Sequence, residues 1–159
     1  MTQAFIEAGY VSMGGSEIDR HALQYQIDIL GDSNAVSVNL FSDPIRRLTQ
    51  VQKRRLKVIL GGYPCNPFCT VNPFRKGYDD PAAWLAHEAL KILGNPDVNP
   101  DMMVAETVAS WANDPKVPGA CRRLGAKHGY SMQVIRILTS HYGTPNVRRR
   151  VLVIWEPRA

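Results

Sequence analysis

Between positions 44 and 78 the chain has no acidic residue, and between 115 and 155 it again has none. Each of those two stretches carries eight Lys and Arg, a segregation that the overall net charge of +5 conceals. The intervening stretches run the other way. Residues 1–43 set six acids against Arg20, and residues 79–114 set seven against Lys91. Composition is otherwise ordinary for a globular protein, 45% hydrophobic and 21% charged, which excludes a disordered chain.

Other absences narrow the field further. No apolar run reaches the roughly 18 residues that a membrane-spanning helix needs. The opening "MTQAFIEAGYVSMGGSEIDR" lacks a basic start and a continuous apolar centre, so it does not read as a secretory signal. Its "SMGGS" has the composition of a flexible joint. Residues 1–20 are therefore expected to be a flexible leader and residues 21–159 a single α+β domain. Cysteine is scarce, and Cys65, Cys69 and Cys121 are odd in number. That excludes a disulfide framework and points to a reducing, intracellular setting for a soluble or peripherally surface-associated protein. "VILGGYP" has a glycine pair without the Lys-Ser/Thr of a phosphate loop. "HEALK" starts like a metalloprotease helix but has Lys91 where the second histidine belongs.

The periodicity predicts element types. "LQYQIDI" (23–29) and "AVSVNLF" (35–41) alternate apolar and polar residues around "GDSN", the pattern of a β-hairpin. "SDPIRRLTQVQKRRLKVILGG" reads as a helix with a cap at Ser42 or Asp43 and a stop at Gly61. Further helices are expected over "DDPAAWLAHEALKILG", "PDMMVAETVASWAND" and "PGACRRLGAKHG". "SMQVIRILTS" and "VRRRVLVIW" close the chain as a second hairpin. The resulting order is ββααααββ, an α+β domain with an antiparallel sheet built from an N-terminal and a C-terminal hairpin. A doubly wound fold would need strands and helices in alternation, which this order lacks.

The charge pattern carries the leading functional expectation. Arg46, Arg47, Lys53, Arg54, Arg55 and Lys57 would crowd one helix, with Arg75, Lys76, Arg148 and Arg150 adding to an anion-binding face. Phe68 and Phe74 lie beside that helix, where aromatic rings could stack on bases. Such a surface suits RNA, DNA or an anionic lipid membrane. Alternating charge blocks also suit a self-assembling, homo-oligomeric coat- or matrix-like protein. The sequence is thus read as a non-enzymatic binding and assembly protein, with no catalytic residue, no cofactor and no metal.

Two other classes stay open. One is a small enzyme that uses Cys65 or Cys69 as a nucleophile with a histidine, or a zinc ion on Cys65, Cys69, Cys121 and His128. The wide Cys121-x6-His128 spacing counts against the zinc quartet. The other is an adaptor or inhibitor whose acidic block, residues 79–114, mimics nucleic acid. The two Asn-Pro-Phe copies, at 66–68 and 72–74, resemble ligands of EH domains. Asn-Pro recurs at 95–96 and 99–100 without Phe, however, so turn chemistry explains it more simply.

Overall fold

A computed structural model describes residues 1–12, 15–30, 36–37 and 57–159. The chain divides into two compact units, Met1–Arg54 and Arg55–Ala159.

The first unit holds a short helix α1 (Thr2–Glu7), strand β1 (Ser16–Glu17), helix α2 (Arg20–Leu30) and strand β2 (Val36–Ser37). β1 and β2 pair in parallel, Ser16 with Val36 and Glu17 with Ser37, so α2 is the crossover of a β-α-β unit. The expected hairpin over 23–41 is therefore wrong, and "LQYQIDI" is helical. The Asp19 carboxylate accepts hydrogen bonds from the His21 and Ala22 amides (3.0 and 2.8 Å), which starts the helix. Gln24 donates to Asp28 one turn on (2.8 Å), and Tyr25 and Ile29 are each 61% exposed. Seven alternating residues fit period 2, but the cap and the i,i+4 pair favour the helix.

In the second unit β3 (Val58–Gly62), β4 (Met102–Val108), β5 (Tyr130–Leu138) and β6 (Arg149–Pro157) form one sheet in the order β3-β4-β6-β5. β3 runs parallel to β4, and β6 is antiparallel to both β4 and β5. The sheet is thus mixed and Rossmann-like. It is not an antiparallel sheet of two hairpins, and the expected ββααααββ order does not hold.

Two misread segments account for the difference. Residues 58–62 form a strand where the end of a basic helix was expected; the rest of that helix lies outside the described residues. Residues 102–108 form β4 where a third helix was expected. Ala, Met and Glu favour helices intrinsically, but Met103, Val104, Ala105 and Thr107 are all buried, as in an inner strand covered on both faces.

Other elements match their sequence patterns. Residues 81–94 are helical, as a 3-10 turn, α3 (Leu85–Leu90) and a second 3-10 turn. Asp80 caps this run by accepting from the Ala82 amide at 2.9 Å, with Pro81 in the first turn. α4 (Val117–Lys127) follows a turn at Asp114, whose carboxylate accepts from the Lys116 and Val117 amides. Gly125 on α4 lies against the sheet; a Cβ there would come within 2.8 Å of Trp155. The terminal hairpin β5–β6 buries Val151, Val153 and Trp155 completely.

Candidate active site at the carboxyl end of the parallel strands

The register places the carboxyl ends of β3, β4 and β5 and the amino end of β6 along one edge of the sheet. In open α/β sheets this is the edge where ligands bind. Three connections emerge there: residues 63–80, 109–116 and 139–148.

The first connection begins with "YPCNPFCTVNPFRKGY", residues 63–78. Gly62, the last residue of β3, pairs with Glu106 on β4. Tyr63 continues the contact, its amide donating to the Glu106 carbonyl at 3.2 Å. Its ring is buried, 6.2 Å from both Trp111 and Trp155. Burial, with Cys121 nearby, pushes the Tyr63 hydroxyl well above its usual range. Two residues later the chain surfaces. Cys65 is exposed and opens a turn closed by the Phe68 amide on the Cys65 carbonyl at 2.9 Å.

The rest of the loop is built by short-range hydrogen bonds. The Asn72 side chain donates to the Asn66 carbonyl (3.1 Å) and accepts from the Phe74 amide (3.0 Å). Arg75 donates to the Thr70 carbonyl at 3.2 Å. Gly77, at φ +55°, returns the chain so that its amide meets the Pro67 carbonyl at 2.8 Å. The repeated Asn-Pro-Phe thus has two fates. Phe68 is 5% exposed and pins the loop to the core, whereas Phe74 is 84% exposed, with Val71 in the same loop at 85%. Phe68 is therefore corrected from a base-stacking candidate to a core residue.

Glu106 sits at the same edge on the neighbouring strand, half-buried, and sequence reasoning passed over it. Arg150, near the start of β6, holds its carboxylate through Nε at 2.8 Å. A usable signal was present: Glu106 is the one acid in the apolar run "MMVAETVASW". Without the strand assignment, nothing placed it near Cys65.

The sequence-predicted residues separate into groups. Arg75, Lys76, Arg148 and Arg150 all emerge at this edge. Lys57 does not, because it lies at the opposite end of β3. There its amide meets Asp101 at 2.7 Å and its ammonium donates to the Val98 carbonyl. Arg46, Arg47, Lys53, Arg54 and Arg55 fall outside the described residues. Among the described residues, no three His, Cys, Asp or Glu side chains gather as a metal site, so Cys65, Cys69, Cys121 and His128 do not form a quartet. Cys121 is fully buried on α4, where burial pushes its thiol up to about 12, and His128 ends that helix beside Gly94.

Comparison with known proteins gives this geometry a family. Residues 1–155 match the model of C-5 cytosine-specific DNA methylases. Over 110 residues the chain is 33% identical to a protein of Methanocaldococcus jannaschii named as a type II methyltransferase, covering 65% of this chain and 29% of that one. Its fold is similar to the methyltransferase EhMeth of Entamoeba histolytica, with TM-score 0.69 and 18% identity over 91% of this chain and 44% of that one. It is similar too to a DNA modification methyltransferase encoded within an E. coli prophage, with TM-score 0.73 and 20% identity over 94% and 41%. The chain therefore spans less than half the length of these relatives. The family match overturns the expectation of a non-enzymatic, self-assembling coat- or matrix-like protein, while a nucleic-acid partner remains compatible with it. The chain belongs to the family of C-5 cytosine-specific DNA methylases.

Proposed function

We propose that the protein carries the nucleophile of a DNA cytosine C5 methyltransferase, with Cys65 attacking the base and Glu106 assisting. The observation that carries this reading is an exposed thiol on a hydrogen-bonded turn at the carboxyl edge, with an Arg-held carboxylate one strand away.

The chemistry explains why both groups are needed. Carbon 5 of cytosine is too electron-poor to take a methyl group directly. Addition of the Cys65 thiolate to C6 turns the C5–C6 double bond into an enamine, nucleophilic at C5. The negative charge that this addition sends toward N3 needs a proton or a hydrogen bond, which a carboxyl group at Glu106 can give. Arg150 keeps that carboxyl group oriented. Once C5 bears the methyl group, loss of its proton expels the thiolate and restores the ring. A base inside a duplex is out of reach for a protein thiol, so the target nucleotide must leave the stack. Arg75, Lys76, Arg148 and Phe74 lie in the connections at that edge and would meet DNA phosphates and bases.

The reaction needs a methyl donor, and a sulfonium of the S-adenosylmethionine type would supply an electrophilic methyl group. Of the described residues in the first unit, Glu17 suits the ribose of such a donor. It ends a parallel strand, and its Oε1 accepts the Ile18 and Asp19 amides (2.8 and 3.0 Å). Its second oxygen has no hydrogen bond among the described residues, as a ribose ligand requires.

The test is transfer of a labelled methyl group to cytosine in duplex DNA by the full chain and by Cys65→Ala. Transfer that disappears with Cys65 supports the assignment. A Cys65→Ala protein with wild-type activity sinks it.

A further inference from the structure

The turn that carries Cys65 is held at both ends by the stretch that carries Glu106. At its start, the Tyr63 amide donates to the Glu106 carbonyl at 3.2 Å. At its end, the Ser110 hydroxyl donates to the Phe68 carbonyl at 2.6 Å, a partly buried bond between residues 42 apart in sequence. Ser110 follows Glu106 by four residues, and the next residue, Trp111, is fully buried and faces Tyr63. Both anchors therefore belong to residues 106–111.

We propose that Ser110 is a positioning residue, which fixes the Cys65 turn against Glu106 by clamping the Phe68 carbonyl. The inference rests on Cys65 as the nucleophile and assigns a role to a residue that touches no substrate. The physical reason is the sensitivity of addition chemistry to placement: an error of about 1 Å can cost about a hundredfold in rate. The Tyr63 bond and the buried Phe68 ring hold the turn in the core, but neither ties its far end to the stretch that carries Glu106. The Ser110 bond closes a second point, on the other side of Cys65, and so defines an orientation as well as a distance. Losing it would also leave the Phe68 carbonyl without this hydrogen-bond donor beside a buried ring.

The surroundings permit a clean test. Ser110 lines an open recess of about 260 Å³, shared with Pro67, Phe68, Thr70 and Asn113. The recess has room for one more methyl group, so Ser110→Thr can keep the hydroxyl bond while Ser110→Ala removes it. In the full chain, Ser110→Ala is expected to lower kcat about tenfold with KM within about twofold. Hydrogen exchange at the Phe68 and Asn72 amides, which donate to the Cys65 and Cys69 carbonyls, is expected to quicken. Ser110→Thr is expected to restore both. A Ser110→Ala protein with unchanged kcat, or a loss that Ser110→Thr does not rescue, overturns the proposal. Unchanged exchange in Ser110→Ala overturns it as well, whatever the activity. Methyl transfer that survives Cys65→Ala would overturn the nucleophile assignment instead, and the exchange rates would then still decide whether Ser110 clamps the turn.

Discussion

Cys65 and Cys121 are the same side chain in opposite surroundings. Cys65 stands exposed on a turn at the carboxyl edge of the sheet, while Cys121 is sealed in the core on α4. Burial pushes the Cys121 thiol to about 12, which leaves it protonated and inert at neutral pH. Position in the fold, more than residue type, decides which thiol can do chemistry. The same contrast divides the two phenylalanines of the repeated tripeptide, Phe68 inside and Phe74 outside.

The largest expected effect breaks the cysteine comparison directly. Cys65→Ala should lower methyl transfer by at least about 10³-fold with the melting temperature nearly unchanged. Cys121→Ser should do the reverse: kcat is kept, while stability falls by about 1–3 kcal/mol because a hydroxyl is buried there without an assured partner. Equal activity losses in the two variants would show that exposure does not distinguish the thiols. Next in size is Glu106→Gln, which keeps shape but cannot supply a proton. A fall in kcat of about 10²–10⁴-fold is expected in steady-state assays, with the fold intact by circular dichroism.

The phenylalanine pair should separate in the same manner. Phe68→Ala is expected to cost about 3–5 kcal/mol in urea unfolding. Phe74→Ala should leave stability alone and weaken DNA binding by about 1–3 kcal/mol, measured by fluorescence anisotropy at fixed salt. DNA affinity that ignores Phe74 would remove that residue from the interface.

The smallest expected effect concerns pH. His87 packs against Tyr78 and Trp84, with ring centroids 6.0 and 4.9 Å away, and its Nδ1 is buried without a partner in the described structure. Burial holds its imidazole below the usual 6.5, with Glu88 opposing that shift and Lys91 adding to it. Between its folded and unfolded values the unfolded chain therefore binds more protons, so stability falls as pH drops through about 6.5. A lower urea midpoint at pH 5.5 than at 7.5, flattened in His87→Phe, is the expected outcome. Identical midpoints in the wild type would contradict it.

The sheet was partly legible in the sequence. The hairpin β5–β6 shows because its buried Val151, Val153 and Trp155 recur with period 2, and α4 shows through its proline start and glycine end. β4 was hidden. A strand covered on both faces has no alternation to display, and its Met, Ala and Glu prefer helices in isolation. With β4 read as a helix, the parallel β3–β4 pair could not be inferred, nor could the edge at which the Cys65 loop and Glu106 both lie. The basic residues drew notice by their number, whereas the proposed reactive pair is one thiol and one carboxylate, each common alone.

What the sequence by itself determined is local. It set the cap at Asp80, the Asn-Pro turns of the Cys65 loop, and the apolar face of β6, because each depends on residues within a few positions of one another. Only the tertiary structure decided which cysteine is exposed, which phenylalanine is buried and which acid pairs with Arg150. Those outcomes depend on strand order and register. They bring together residues 43 and 44 positions apart, Tyr63 with Glu106 and Glu106 with Arg150, across distances that no local pattern can encode.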